Sequence, residues 1–217
     1  EELAEEVERI NKEVTVEEFK SYFKRKDEST ESSPSGRHIG HYKAAMANDD
    51  LVDVIVSMLN IGLITGQALD RWKRTVSLML EKDTGQPKLH RLRIIQLFEA
   101  DYNFLLSLVF GHRLMTFARK FCKLNESQYG SMSGKQAQSA VLNKILTYDL
   151  IRLTKQDAAT SEFDAAANYD RILPANAMIA CQRLGLAKKP AELLYDSLVD
   201  LKHQVKTIYG LSAEYGS

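Results

Sequence analysis

Residues 161–172, SEFDAAANYDRI, combine side-chain types that can do chemistry. Asp164 follows Phe163 and precedes three alanines; Tyr169 lies five positions further on, followed by Asp170 and Arg171. A lone carboxylate among small side chains leaves room for a bulky ligand against the backbone, and its hard oxygens suit a divalent cation. The same spacing also fits a structural role, in which Asp164 ends a strand and Asp170 caps the following helix. Spacing alone leaves both readings open and leans toward the structural one.

Charge adds a second chemistry. The chain of 217 residues has no formal net charge, yet the charges are unevenly placed. Residues 1–31 carry eleven acids against six bases. Residues 71–93 carry seven bases, Arg71, Lys73, Arg74, Lys82, Lys88, Arg91 and Arg93, against Glu81 and Asp83. Residues 111–123 add Arg113, Arg119, Lys120 and Lys123 with no acid. A balanced total therefore does not exclude a polyanionic partner, because the local field decides; each cluster by itself also fits a solvated helix face. His38 and His41 lie in a basic, aromatic segment bracketed by a proline and two glycines, but no third or fourth ligand is near them, so a zinc site is not expected. A bend there that turns Arg37 and Lys43 toward phosphate fits better. Cys122 and Cys181 have no partner at metal or redox spacing and read as reduced packing thiols.

The composition, 44% hydrophobic and 27% charged, is that of a globular chain with a real core. No apolar run is long enough to span a bilayer and no signal peptide opens the chain, so an intracellular location with no membrane partner is expected. Residues 1–13 read as an acidic helix. Thr15–Glu18 is a capping box opening a second helix with Phe19, Tyr22 and Phe23 on one stripe. Residues 27–36 form a loop, and with no core ahead of it the N-terminal arm is expected to dock on the later part of the chain. Residues 50–65 are an apolar helix ended by Gly66. Thr75–Leu80 and Arg93–Phe98 are strand candidates that pair as an antiparallel hairpin with a basic tip. Residues 99–121 are a helix, apolar all round at its start and hence buried there. Gln128, Gly130 and Gly134 punctuate a turn, and an amphipathic helix comes next with Leu142, Leu146, Leu150 and Leu153 on one stripe. Two more helices, one ending near Gly185 and one begun by Pro190, precede a last strand at 204–209. The fold class expected is α+β, helix-rich.

The order of these features, Trp72-Lys73, a basic hairpin with Lys82 and Arg93, a buried helix with Arg113-Leu114, the Gln128-x-Gly130 turn, an amphipathic helix and then Asp164-x4-Tyr169-Asp170-Arg171, resembles the fingers and first palm segment of a reverse transcriptase. The likeness is greatest to the retrotransposon, non-LTR-like group and covers about residues 30–210. It implies a right-hand polymerase fold with an incomplete palm: an N-terminal helical arm at 1–32, a fingers region at 33–160 containing the hairpin at 75–98, and a partial palm at 161–217. It implies RNA-directed DNA polymerase activity by two-metal nucleotidyl transfer with Mg²⁺ or Mn²⁺, with an RNA template, a DNA primer and deoxynucleoside triphosphates as partners. Residue by residue, the resemblance makes Asp164 the first catalytic, metal-binding carboxylate. It assigns Lys82, Arg93 and Tyr169 to the incoming nucleotide, Tyr169 as the aromatic beneath the sugar, and Gln128, Gly130 and Gly134 to template and primer. Arg37 and Lys73 are further candidates for template contact. Asp170 reads as structural.

The chain departs from the group's pattern in three places. Arg93-Ile94-Ile95 stands where Arg-Pro-Ile is usual, Asn168 stands where a small residue is usual, and the paired aspartates of the palm do not occur before Ser217. The only adjacent pair, Asp49-Asp50, has a helix-start context. The 217-residue chain alone is therefore not expected to polymerise; the activity is expected of a longer protein that supplies the remaining palm and thumb. A polymerase-like module that binds nucleic acid without chemistry, and a helical scaffold, are the alternative expectations.

Overall fold

The computed structural model describes residues 2–30, 34–83, 85, 88, 91–164 and 171–216. The fold is α+β, helix-rich with a small mixed sheet. Helices α1 (Glu2–Asn11), α2 (Val16–Lys24), α3 (Ile39–Ala45) and α4 (Asp49–Thr65) precede a 3₁₀ turn at Asp70–Lys73 and the hairpin of β1 (Arg74–Glu81) and β2 (Leu92–Leu97). Helix α5 (Ala100–Leu105) runs through a π-helical stretch, Leu106–Leu114, into α6 (Met115–Lys120). Then come α7 (Ala137–Thr154), α8 (Pro174–Arg183), α9 (Lys188–Leu198), β3 (Lys202–Thr207) and two short strands, β4 (Gly210–Leu211) and β5 (Tyr215–Gly216). Among the described residues no helix is long and apolar enough to cross a membrane. Two compact units result: Glu1–Phe117 with Leu173–Ser217, and Ala118–Ile172.

The local signals read from the sequence act as expected at the start of α2 and the end of α4. Thr15 accepts the N–H of Glu18, and the Glu18 carboxylate accepts the N–H of Thr15, closing the capping box of α2. Asn48 caps α4, whose first turn holds Asp49 and Asp50, and Gly66 ends it with a left-handed φ of 76°. A side chain at Gly66 would be strained by that φ, and its Cβ would come within 3.0 Å of Glu192. Gly185, at φ 113°, is stricter still, since a Cβ there would lie 2.8 Å from the Phe117 ring.

The N-terminal arm docks on the first unit as expected, and by specific contacts. Phe19 and Phe23 are fully buried and meet Phe104 of α5 at ring separations of 5.7 and 5.9 Å, while Phe23 stacks on Tyr42 of α3 at 4.7 Å. Asn60 of α4 exchanges two hydrogen bonds with the backbone of Val14, at 2.8 and 2.9 Å. The buried Arg113 donates to the carbonyls of Lys12 and Glu13 and to the Glu18 carboxylate, at 2.6, 3.1 and 2.6 Å. Burial pushes the Glu18 carboxyl up, but the hydrogen bonds from Arg113 and Thr15 outweigh it and hold it below the usual carboxylate range. The π stretch that carries Arg113, LSLVFGHRL, is not marked by the apolar pattern of the sequence.

The sheet runs in the order β2-β1-β3-β4, with β5 also pairing β3. The hairpin is antiparallel, as read from the alternation, with Val76 opposite Leu97 and Leu80 opposite Arg93. The last strand lies at 202–207 rather than 204–209 and pairs in parallel with β1, Arg74 beside Lys202 and Leu78 beside Lys206. His203 is buried where the two strands join: its Nδ1 lies 2.9 Å from the Thr75 hydroxyl and its ring stacks on Tyr215 of β5. Burial pulls the His203 imidazole below the ordinary histidine range. The unfolded chain therefore takes up the proton first as pH falls below about 6.5. Stability contributed by neutral His203 is complete above that pH and declines below it. Urea midpoints at pH 7.5 and 5.5 are expected to differ more in wild type than in His203→Gln; equal differences would exclude this origin.

Several expectations need correction. Among the described residues nothing buries the leucine stripe of α7: Leu142, Leu146, Leu150 and Leu153 are all more than half exposed. Cys122 is exposed rather than packed, and only Cys181 is half-buried, its thiol pushed up by that burial. Asp164 does not end a strand, because 156–164 has no regular structure. Asp170, read as a cap for the next helix, lies outside the described residues; α8 begins at Pro174 with Leu173 in the cap position.

Candidate functional site

The hairpin places two of the expected nucleotide-binding residues. Lys82 directly follows β1, and its backbone N–H donates to the Arg91 carbonyl at 3.1 Å, which extends the ladder one step beyond the strands. Arg93 stands two pairs further in, across from Leu80, and both cations are exposed. Arg91 forms an ion pair with Asp83 at 3.1 Å, across the same end of the hairpin. Two cations on the outer half of a two-stranded ribbon can close over a triphosphate, one as a point charge and one as a planar fork.

The base of the hairpin is anchored by a buried charge cluster. Arg71 holds Asp101 with both ends of its guanidinium, at 2.7 Å for one of the two bonds, and lies 3.7 Å from Glu99. Trp72 donates its indole N–H to Asp101 at 3.1 Å, and Ser35 donates its N–H and its hydroxyl to Glu99 at 2.8 and 2.9 Å. Trp72 itself is fully buried and stacks on Tyr102 at 5.2 Å. The Tyr102 hydroxyl is bonded to Ser197 of α9, and burial pushes it up to about 12. The Tyr42 hydroxyl lies buried without a hydrogen-bond partner among the described residues; burial, with Asp101 nearby, moves it well above the tyrosine range. This cluster ties the segment before α3, the 3₁₀ turn and the start of α5 together, and so fixes both strand roots of the hairpin.

The proposed template contacts are differently situated. Arg37 is exposed just ahead of α3. Lys73 is half-buried and paired with Asp196 of α9 at 2.7 Å, which places its ammonium in a contact between the 3₁₀ turn and that helix. His41 accepts the N–H of His38 through Nδ1 at 3.1 Å, so this pair closes a turn of its own at the start of α3.

The other candidates belong to the second unit. Gln128 donates its side-chain amide to the Gly130 carbonyl at 3.0 Å, and Gly134, at φ 81°, has open space where a Cβ would stand. Asp164 is exposed, beyond Phe163, which is 95% exposed, and beyond the Lys144–Glu162 ion pair that ties this segment to α7. Tyr169, Asp170 and Asn168 lie outside the described residues. Among the described residues no group of three or more His, Cys, Asp and Glu side chains is placed to hold a metal ion. Asp164 offers one carboxylate, which is a partial shell for Mg²⁺, an ion that keeps several waters and takes substrate phosphates as ligands.

Sequence reading passed over Arg74, Lys202 and Lys206 as site residues. The signal was available in the alternation Lys202-x-Gln204-x-Lys206, but its meaning depends on which strand β3 joins. Comparison with known families and with curated proteins finds no match to the chain.

Proposed function

We propose that the chain is the fingers region and first palm segment of a reverse transcriptase of the non-LTR retrotransposon type, copying RNA into DNA within a protein that also carries the remaining palm and thumb. The observation that supports this best is the antiparallel hairpin with Lys82 at its tip and Arg93 two pairs inward, rooted in the Arg71–Asp101 cluster. In this reading Lys82 and Arg93 hold the triphosphate of the incoming nucleotide, Tyr169 lies beneath its sugar, and Asp164 provides a carboxylate for Mg²⁺. Bound Mg²⁺ supplies charge stabilisation for phosphoryl transfer. Arg37, Gln128, Gly130 and Gly134 position template and primer; Lys73 joins them only by leaving Asp196.

The test is primer extension on an RNA template by a protein extended past Ser217 through the paired-aspartate turn. Lys82→Ala and Arg93→Ala are each expected to raise KM for the nucleotide by roughly tenfold or more, the worth of one charge-assisted hydrogen bond. Unchanged KM in both variants would remove the hairpin from the nucleotide site.

A further inference from the structure

The strand register sorts the charges of the sheet by face. Residues directly opposite one another on paired strands project to the same side, and along a strand the sides alternate. Through the pairs Val76–Leu97, Leu78–Ile95 and Leu80–Arg93, and then Arg74–Lys202, Val76–Gln204 and Leu78–Lys206, one face carries Arg74, Arg93, Lys202 and Lys206. The same face continues onto β4 through Lys206–Leu211. No position on this face in β1 to β4 is acidic. The opposite face, with Thr75, Ser77, Met79, Glu81, Leu92, Ile94, Gln96, His203, Val205 and Thr207, carries no lysine or arginine. All four cations are exposed. Arg74 has one acidic neighbour, Glu214, at 3.7 Å, contributed by the segment after β4.

We infer that this face is a phosphate track for a single nucleic-acid strand, with Lys202 and Lys206 as backbone contacts that extend the Arg93 end of the hairpin across the sheet. Lys202 and Lys206 stand about 13 Å apart along β3, and Arg93 lies two strand spacings, about 10 Å, to the side. Cations so spread match a chain of phosphates better than one compact anion. Leu80 and Ile95, both exposed beside Arg93, give an apolar surface for sugars or bases between the charged contacts. Such contacts position a strand without reading its sequence. The choice of a nucleic-acid strand as the occupant rests on the polymerase reading; the segregation of charge does not.

The experiment uses the whole chain and a fluorescent, unstructured single-stranded RNA, with affinity measured by anisotropy over a range of salt concentrations. The double variant Lys202→Gln/Lys206→Gln is expected to bind about tenfold or more weakly at low salt, with the slope of log affinity against log salt reduced by about 1.4, the share of two phosphate contacts on a single strand. Arg9→Gln/Lys188→Gln changes the charge equally at exposed sites outside the sheet and is expected to bind like wild type. Unchanged urea midpoints in both double variants will show that folding is intact, and the single variant Lys206→Gln should lose about half the slope change. A wild-type chain that fails to bind RNA, a sheet variant that binds like wild type, or a control that weakens as much as the sheet variant overturns the inference. Failure of primer extension with this RNA dependence intact would instead count against the polymerase reading alone.

Discussion

Arg71→Ala is expected to cost about 3–5 kcal/mol of stability, the range for breaking a buried ion pair from one side. Arg71 faces two carboxylates whose side chains are each 1% exposed, Glu99 and Asp101. Their other partners remain after the substitution: Trp72 and the Tyr102 N–H for Asp101, Ser35 for Glu99. Those donors satisfy lone pairs but carry no positive charge, so two buried anions would be left side by side. Arg71→Lys keeps the charge and loses the fork that spans both oxygens of Asp101, so an intermediate loss is expected. The exposed pair Lys20–Asp49, with Asp49 83% exposed, serves as the contrast: Lys20→Ala is expected to cost less than about 1 kcal/mol. Urea unfolding measures all three. A loss below about 1 kcal/mol for Arg71→Ala would mean that the cluster is hydrated or rearranges, and it would no longer explain how the hairpin is rooted.

The second large effect concerns chemistry. If Asp164 holds Mg²⁺ as proposed, Asp164→Asn in the extended protein is expected to lower the rate of primer extension by about a thousandfold, because a metal ligand contributes several kcal/mol to stabilising the charge of the transition state. Asparagine keeps the size and one oxygen but loses the negative charge that Mg²⁺ requires. Because Asp164 is exposed and in an irregular segment, the substitution is not expected to move the unfolding midpoint, so the assay reads function and not folding. RNA binding should persist in the variant. Extension at the wild-type rate would sink the assignment of Asp164 and leave the reading of a module that binds nucleic acid without chemistry.

Local chemistry made much of the fold legible from the chain. The Thr15–Glu18 box, Gly66 after an apolar helix and the alternation of Thr75–Leu80 each act over a few residues, so their outcome does not depend on what is far away. The stretch around Arg113 was harder, because the pattern of apolar residues along a helix does not say where one turn will widen to π geometry. The docking of the N-terminal arm was expected from its lack of a core, but the partners that hold it, Asn60 and Arg113, are 46 and about 100 residues away and could not be paired from sequence. The leucine stripe of α7 shows the reverse: periodicity specifies a face and is silent on whether anything covers it.

For the candidate site, residue type and order alone determined that two cations would sit on a hairpin, and that an isolated aspartate would follow a long helix. Tertiary structure alone decided that β3 pairs in parallel with β1, which turns Lys202 and Lys206 to the side of Arg93. A shift of one residue in that register would have sent both lysines to the opposite face. The same is true of Arg71 and Lys73, which as bare sequence belong to one basic cluster. In the fold they are ion-pair partners of Asp101 and Asp196, which only long-range packing can bring beside them; for Arg71 the buried Asp101 demands that counter-charge, while the Lys73–Asp196 pair stays partly exposed.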